Sequence, residues 1–450
     1  MDYPKVLVTS IDVWNAESGS DTFTNLLSGY DPDRVANIYF RSGIPSSTAS
    51  NKYFFISENA VIKSIFKKKT ITGWETARRI DEEEKKQMDA CKSTEKKRYS
   101  FFTRHRWWIF LFAREFLWKI GKWKSTELNS FIDDFNPDIL FCPIESYYHF
   151  NRVNEYIAKM TGVPLITYMW DDNFTYKNCH GIGSYIHRFF LRRGVKRLIE
   201  RSDDIFAISP KMQSEIEEEY GVTVKLLTKG IKPQIEYTDS IIKFPYKMVY
   251  TGKLAYGRFE SIALVSEVIG LLNKDGLKIE FDIYSGSTLN KNEIEKLQYP
   301  GVFFCGSVPQ TRIAEIQNNA DILLLVEALD SKHKYDARLS ISTKVVDYLG
   351  AGKCIVAVGS NDIASVEYLS NNHAALCASS REELEELLLN INNEKILLYG
   401  QCARKLGQKN HSSTDIQDSL YKVFCDYGIN KNNQAKRRKS DGSSTDKCHI

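Results

Sequence analysis

Residues 321–358 read DILLLVEALDSKHKYDARLSISTKVVDYLGAGKCIVAV. Asp321–Val326 is an apolar run with the length of a fully buried strand. Thr343–Leu349 has the spacing of a helix, and Gly350–Gly352 ends it. Cys354–Val358 is a second apolar run. A buried strand, a helix and another buried strand in this order predict a parallel sheet that helices cover on both faces.

The same alternation occurs in both halves of the chain. Lys5–Ser10, a loop of small residues and the helical pattern Thr22–Leu27 form the first unit of a Rossmann-like domain. Further strands are predicted at Ala36–Phe40, Ile139–Pro143, Leu165–Trp170, Ile205–Ile208, Lys247–Thr251, Glu280–Tyr284 and Val302–Cys305.

The pattern therefore predicts an α/β protein with two Rossmann-like domains. We expect them at residues 1–240 and 241–427, with a boundary near Tyr237–Pro245. The final helix is expected to pack back on the first domain. The polar composition of residues 428–450 predicts a disordered tail.

Length and composition exclude several classes of protein. With 450 residues, 42% of them apolar and 26% charged, the chain is typical of a globular protein of two or three domains. Its net charge of +4 predicts no nucleic-acid partner. The N-terminus, MDYPKVLVTS, lacks the pattern of a signal peptide. The nine cysteines form no C-x-x-C pair, which favours reduced thiols and a cytoplasmic location.

One segment of the first half combines aromatic and basic residues. Residues 101–123 read FFTRHRWWIFLFAREFLWKIGKW, and their apolar part is too short to span a bilayer. The pattern is typical of a helix at the inner face of a cytoplasmic membrane, where basic side chains contact anionic lipids. The alternative is a core helix of the first domain whose basic side chains extend outward.

The second domain contains a pattern suited to a diphosphate. Gly252 ends the strand KMVYT, and Lys253 and Arg258 follow it. Ligands of open α/β folds bind at the carboxyl edge of the sheet, and a glycine there allows close approach to the backbone. Each charge-assisted hydrogen bond to a phosphate is worth about 1.5–3 kcal/mol. The alternative is a loop with two surface cations.

A second group of candidate residues lies at the start of the predicted helix Thr343–Leu349. Ser342 and Thr343 can cap this helix, and its free N–H groups would then face an anion. Lys344 stands in the first turn, where the helix dipole disfavours a cation, which indicates that it serves a ligand. Asp347 can accept hydrogen bonds from two ribose hydroxyls. The alternative for Asp347 is an exposed helical carboxylate.

Acidic residues also follow strands of the first domain. Asp171 and Asp172 come directly after an apolar strand, and either could orient an acceptor or act as its base. The alternative is a turn or a helix cap. Glu145 and His149, after the strand ILFCP, are further candidates of the same kind.

The two elements of the second domain resemble the donor-binding half of GT-B glycosyltransferases, close to glycosyltransferase family 4 of bacterial capsule and polysaccharide assembly. The family usually has a glycine, a cation directly after it and another cation five residues later. Gly252, Lys253 and Arg258 match that spacing with the two cation types exchanged. Asp347 matches the family's ribose-binding acid, five residues before a helix-ending glycine. The loop with Gly19 is similar to the glycine-rich loop that meets the donor phosphates.

The chain departs from this family at one position. The family has a Glu eight residues before its ribose-binding acid, and here that position holds Leu339. Glu327, at the end of the buried strand, and Asp336, in the loop before the helix, are the acids that can take its place beside the sugar. The resemblance implies transfer with retention at the anomeric carbon.

The resemblance implies a GT-B fold, with two domains facing each other across a cleft. It also implies transfer of a sugar from a nucleotide-diphosphate sugar to a saccharide or lipid-linked acceptor. Asp31-Pro32-Asp33 has the form of the D-x-D metal motif of another glycosyltransferase fold but is typical of a turn, so we expect no metal or other cofactor. Two alternatives stay open: a nucleotide-sugar epimerase of the same architecture, and a non-catalytic scaffold of a polysaccharide assembly complex, which the missing Glu favours.

Overall fold

The protein folds as two α/β units, as the sequence predicts. The structure, a computed structural model, describes residues 3–15, 22–67, 69–78, 86, 88–89, 91–93, 108–231, 242–274, 276, 278–331 and 333–442. Each half of the chain contributes one sheet, and helices cover both sheets. The predicted boundary at Tyr237–Pro245 lies largely outside the described residues.

The first half forms an eight-stranded sheet. Its strands are β1 (Val6–Ser10), β2 (Val35–Tyr39), β3 (Lys52–Ile56), β4 (Gly73–Thr76), β5 (Ile139–Pro143), β6 (Leu165–Met169), β7 (Asp204–Ala207) and β8 (Lys225–Leu226). The order across the sheet is β4-β3-β2-β1-β5-β6-β7-β8. Neighbours are parallel except for the antiparallel pair of β3 and β4.

Helices connect and cover these strands. They are α1 (Thr22–Leu26), a 3₁₀ turn at Pro32–Arg34, α2 (Glu58–Phe66), α3 (Trp108–Ile120), α4 (Thr126–Phe135), α5 (Tyr148–Thr161), α6 (Ile182–Arg201) and α7 (Pro210–Tyr220).

The second half forms a six-stranded parallel sheet in the order β11-β10-β9-β12-β13-β14. Here β9 is Tyr246–Thr251, β10 Ile279–Tyr284, β11 Val302–Gly306, β12 Ile322–Val326, β13 Cys354–Val358 and β14 Leu376–Ala378. The helices are α8 (Arg258–Leu272), α9 (Lys291–Glu295), α10 (Gln310–Asn318), α11 (Thr343–Ala351), α12 (Ala364–Asn371), α13 (Arg381–Leu389), α14 (Asn393–Asn410) and α15 (Ser413–Gly442).

Burial on both faces explains why the strands were visible in the sequence. Every residue of β1, β5, β6, β12 and β13 is buried, so each strand is a nearly continuous apolar run. The sequence analysis missed β3 and β4 at one end of the first sheet, β8 at its other end, and β14 at the edge of the second sheet. The edge strands β4, β8 and β14 have only two to four residues, too few to show a period.

The last helix, α15, belongs to the first domain by its contacts. The hydroxyl of Tyr421 donates to the carbonyl oxygen of Leu26 at 3.0 Å, and the ring of Phe424 packs on Phe141. The helix continues to Gly442, into the stretch where the sequence predicts a disordered tail. Lys, Arg, Gln and Ala have high helix propensity, so a polar chain can extend a helix that is already anchored. Residues 443–450 lie outside the described residues.

The aromatic and basic segment 101–123 contains the helix α3. Within it, Trp118 and Trp123 are buried, and Arg114 forms an ion pair with Glu58 at 2.6 Å. These side chains pack inward, as in the core-helix alternative, whereas Phe116 is 60% exposed. Residues 101–107 lie outside the described residues. Among the helices that the structure describes, none is long and apolar enough to cross a membrane.

Candidate functional site

A cleft of about 410 Å³ lies between the two domains, at the carboxyl ends of strands from both sheets. It brings together six of the predicted site residues: Asp171, Asp172, Arg258, Glu327, Asp336 and Ser342. Sequence reasoning missed the other polar residues that line it: Ser146, Asn173, Asn178, Arg188, Tyr256, His333 and Ser340. The cleft is therefore a two-sided polar site.

Two predicted site residues of the second domain form an ion pair. The Nε and Nη2 atoms of Arg258 lie 3.0 and 2.8 Å from Oε2 of Glu327. Arg258 is the first residue of α8, and Glu327 directly follows β12 and is buried. Burial alone would lower the pKa of Arg258, but the Glu327 carboxylate holds it above its usual value. Arg258 is thus a fixed, permanent cation at the edge of the sheet.

The loop before Arg258 depends on a glycine. Gly257 has a φ of 74°, and a Cβ there would lie 2.5 Å from Oδ2 of Asp330 and 2.9 Å from Cβ of His333. His333 shares a hydrogen bond with Asp330, from Nδ1 to Oδ1, at 2.9 Å. Only glycine adopts this conformation without strain in so little space. The loop therefore packs tightly on the segment that follows β12.

Lys344 lies beside the glycine that ends β9. Its Nζ donates to the hydroxyl of Tyr250 at 3.0 Å, and a Cβ at Gly252 would lie 2.4 Å from the same Nζ. Burial and the charge of Arg258 lower the pKa of Lys344 to about 7. Arg258 and Lys344, predicted from two separate motifs, are therefore electrostatic neighbours. The glycine predicted for ligand approach also makes room for the lysine.

Helix α11 begins at the cleft. Ser342 occupies the N-cap position and lines the cleft, and Thr343 is the first helical residue. The Ser342 side chain makes no capping hydrogen bond, which differs from the prediction. Instead its amide donates to Oγ of Ser365 at 2.9 Å, and this bond holds the start of the helix.

The predicted ribose ligand, Asp347, is paired with a residue of the first domain. Nζ of Lys229 lies 2.7 Å from Oδ1 of Asp347. Lys229 follows β8 and its side chain is 3% exposed, whereas that of Asp347 is 37% exposed. The buried lysine fixes the direction of the Asp347 carboxylate, and the exposed part of Asp347 stays accessible to a ligand.

Asp172 holds a turn and links the domains. Oδ1 of Asp172 accepts from the amide of Thr175 at 2.9 Å. Arg188 of α6 and Arg338 of the second domain approach its carboxylate to 3.7 and 3.6 Å. Arg338 also pairs with Glu215 at 2.6 Å. These contacts fit the alternative that Asp172 is a turn residue.

Two other acids of the first domain have raised pKa values. Burial raises the pKa of Glu145 to about 8, and the nearby charge of Asp171 adds to this effect. Desolvation by the surrounding cleft also raises the pKa of Asp171, although this residue keeps an exposed surface and its Oδ1 accepts a hydrogen bond from Oγ of Ser340 at 3.2 Å. A carboxyl group with a pKa near neutrality can exchange a proton with a substrate hydroxyl.

The remaining candidate residues have other surroundings. His149 is buried, stacks on Trp118 and shares a 2.8 Å hydrogen bond with Glu115, so it is tied into the fold. Lys253 is exposed on its loop. Gly19 lies outside the described residues.

In the described part of the chain, no three His, Cys, Asp or Glu side chains are grouped to hold a metal ion. Whether the protein needs a metal stays a prediction.

Leu339, at the position of the family's missing Glu, packs in the first domain's core. It is fully buried, and its carbonyl oxygen accepts from Oγ of Ser209 at 2.6 Å. The side chain at this position therefore supports the contact between domains and does not line the cleft.

Two α/β domains with a cleft between them also occur in known structures. Anabaena HepE in complex with UDP-glucose matches with a TM-score of 0.57 at 11% identity, over 94% of this chain and 100% of that chain. The 450-residue chain described above therefore has the GT-B fold. Other GT-B proteins give similar matches. α,α-Trehalose-6-phosphate synthase from Burkholderia multivorans has a TM-score of 0.55 at 9% identity, over 95% of this chain and 100% of that one. A glycosyltransferase from Rickettsia africae has a TM-score of 0.53 at 11% identity, over 95% and 99%.

Sequence comparison does not assign the GT-B chain to a family. No protein-family model and no curated protein sequence matches it. Identities of 9–11% establish a shared fold and nothing finer. Membership of glycosyltransferase family 4 therefore stays a prediction.

Proposed function

We propose that the protein is a glycosyltransferase that takes its sugar from a nucleotide-diphosphate donor. One observation carries the proposal: Arg258, Lys344 and the start of α11 come together at the carboxyl edge of the second sheet. A fixed guanidinium, an ammonium of adjustable charge and a helix N-terminus are the groups that bind a diphosphate. The nucleotide would lie on the second domain.

These groups would act on the leaving diphosphate. Negative charge develops on the diphosphate as its bond to the sugar breaks, and cations held in place stabilise that charge without rearranging. Glu327 keeps Arg258 in position. Lys344 would become fully charged once a diphosphate lies beside it. Lys253, exposed on the same loop, would add a third cation.

The nucleotide would be held through its ribose. Asp347, oriented by Lys229, would accept hydrogen bonds from the two ribose hydroxyls. The HepE structure contains UDP-glucose, so UDP-sugars are the donors to test first.

Asp336 is the acid that the geometry favours beside the sugar. It is exposed within the cleft, whereas Glu327 is buried and bound to Arg258. We assign Glu327 the role of positioning Arg258. Retention at the anomeric carbon is the stereochemistry that the family resemblance implies, and proton NMR of the first product formed would test it.

The first domain would bind the acceptor. Asp171 and Arg188 line that side of the cleft, and Glu145 is buried near Asp171. The acceptor we propose is a saccharide or a lipid-linked saccharide in polysaccharide assembly at the cytoplasmic face of a membrane. Residues 101–123 would provide a peripheral membrane contact.

A second function has one observation in its favour. Because Leu339 is buried where the family has a Glu, the chain could bind a donor without reacting and serve as a scaffold of an assembly complex. Donor binding with no turnover would support that function.

The test is a panel of nucleotide sugars, first in a thermal-shift screen and then with saccharide acceptors. Release of nucleotide diphosphate that requires an acceptor supports a transferase. Conversion of the donor alone into its epimer would indicate an epimerase. A panel in which no nucleotide sugar raises the melting temperature would contradict the proposed site. Bound ligand at a hundredfold excess over its dissociation constant stabilises the folded state by about 2.7 kcal/mol.

A further inference from the structure

The helix α6 exposes an apolar stripe to solvent. Its exposed residues Ile182, Tyr185, Ile186, Phe189 and Phe190 are 40–81% exposed. Their spacing is i, i+3, i+4, i+7 and i+8, which places them on one side of a helix. A helix of a globular domain normally turns such a side toward the core, so an exposed one indicates a binding surface.

Basic residues continue this stripe toward the end of the helix. Arg193 and Lys196 are exposed, and the guanidinium of Arg193 lies 4.3 Å from the centre of the Phe189 ring. Between Ile182 and Arg201, α6 contains six Lys or Arg residues and a single acid, Glu200. Aromatic and aliphatic side chains flanked by cations suit the boundary between the acyl chains and the anionic headgroups of a bilayer.

Helix α3 extends the surface. The ring of Phe112 lies 6.1 Å from that of Phe190, and Phe116 and Ile120 on the same helix are 60% and 46% exposed. The exposed cation Lys119 lies between them. Two adjacent helices of the first domain therefore present apolar and basic side chains together.

The same helix also reaches the cleft. Arg188, one position before Phe189, lines the acceptor side of the cleft and donates to the carbonyl oxygen of Asp172 at 2.6 Å. A surface that docks through α6 would therefore lie next to the entrance on the acceptor side. A lipid-linked acceptor could then reach the cleft while its lipid stays in the bilayer.

We propose that the exposed stripe of α6, extended by α3, docks the protein on a membrane that contains anionic lipid. This docking surface rests on the membrane contact proposed above. Its main part lies on α6 and not in residues 101–123. The apolar stripe enters the headgroup region, and Arg193, Lys196 and Lys119 contact lipid phosphates. Cations support the binding and salt weakens it.

The test is sedimentation of the full-length protein with two kinds of vesicle, phosphatidylcholine alone and phosphatidylcholine mixed with phosphatidylglycerol. The first variant is Ile182→Gln/Ile186→Gln/Phe189→Gln, and the second is Arg193→Gln/Lys196→Gln. The matched control is Leu389→Gln/Leu397→Gln/Leu398→Gln, which removes three exposed apolar side chains from α13 and α14. Circular dichroism verifies the fold of each protein.

We expect the wild type and the control to bind the anionic vesicles, and the stripe variant to lose roughly tenfold or more of that binding. The basic variant should lose binding on anionic vesicles in particular. A wild type that ignores anionic vesicles, or a stripe variant that binds like the wild type, overturns the proposal. A wild-type dimer that becomes a monomer in the stripe variant overturns it too, because the occupant is then a second copy.

Binding of the nucleotide-sugar panel, measured by calorimetry without lipid, separates this proposal from the proposed function. Vesicle binding without binding of any nucleotide sugar refutes the donor site and leaves the docking surface standing. Donor binding without vesicle binding refutes the docking surface and leaves the donor site standing.

Discussion

The ammonium of Lys229 lies 2.7 Å from the carboxylate of Asp347, and this pair joins the end of the first domain to the proposed ribose site of the second. The backbone carbonyl of Lys229 also contacts Nδ1 of the buried His411 at 3.3 Å, and Nε2 of His411 contacts the hydroxyl of Tyr368 at 3.0 Å. Polar contacts therefore link Lys229 to α11 through Asp347, and through His411 to Tyr368 of α12. A nucleotide that binds Asp347 would therefore contact a side chain that a lysine of the first domain holds in place.

The ribose contact predicts an unequal loss of affinity. Asp347→Asn should weaken the binding of UDP more than that of 2′-deoxy-UDP, because only the ribonucleotide offers both hydroxyls to the carboxylate. Calorimetric titration with both nucleotides measures the difference, and Asp362→Asn, an exposed acid outside α11, is the control. An equal loss for the two nucleotides would mean that Asp347 has a structural role.

The cations predict a loss of diphosphate affinity. Lys253→Ala should weaken UDP binding by about 1.5–3 kcal/mol, the value of a charge-assisted hydrogen bond. Arg258→Ala should cause a similar loss. It is best made together with Glu327→Gln, since a buried carboxylate without its partner costs about 3–5 kcal/mol of stability. Lys409→Ala, an exposed cation on α14, is the control. Wild-type affinity in both cation variants would refute the site.

The pKa of Lys344 predicts proton uptake on binding. With a pKa of about 7, the side chain is mostly neutral at a pH one unit higher, and a bound diphosphate would restore its charge. Binding of UDP-glucose should therefore take up a proton above pH 7, and its affinity should fall as the pH rises. Below the pKa the lysine is already charged and uptake should vanish.

Calorimetry in two buffers of different ionisation enthalpy measures this uptake. Lys344→Met should abolish it and weaken binding at low pH most. Uptake that persists unchanged in Lys344→Met would assign the proton to another group.

The tight loop at Gly257 predicts a large effect of a single methyl group. Gly257→Ala should destabilise the protein by about 1–2 kcal/mol through its left-handed backbone, and by roughly 1–3 kcal/mol more through overlap with Asp330 and His333. Gly162→Ala has a similar φ of 63° and no atom within 4 Å of the new Cβ, so it shows the backbone cost alone. Urea unfolding compares the two. Equal losses would mean that the loop moves aside.

The proposed use of side-chain cations at the diphosphate predicts insensitivity to chelators. EDTA should leave the rate of diphosphate release unchanged. A rate that EDTA abolishes and that magnesium or manganese restores would show that a metal takes part.

The sequence alone determined the fold class. Buried parallel strands such as β12 and β13 must be apolar on both faces, so they stand out from the polar loops around them. It also placed Arg258, Lys344, Ser342 and Asp171 correctly at strand ends or helix starts, because the carboxyl edge of a parallel sheet follows from the chain order of strands and helices.

Only the tertiary structure decided which of these residues are partners. Glu327 and Asp336 were both candidates in the sequence, and the buried pairing of Glu327 with Arg258 distinguishes them. Lys229 carries no local signal, because its partner Asp347 is 118 residues away. The sequence also did not show that the apolar stripe of α6 is exposed to solvent. Spacing shows that a helix has an apolar side, but only the packing of the other elements shows whether anything covers it.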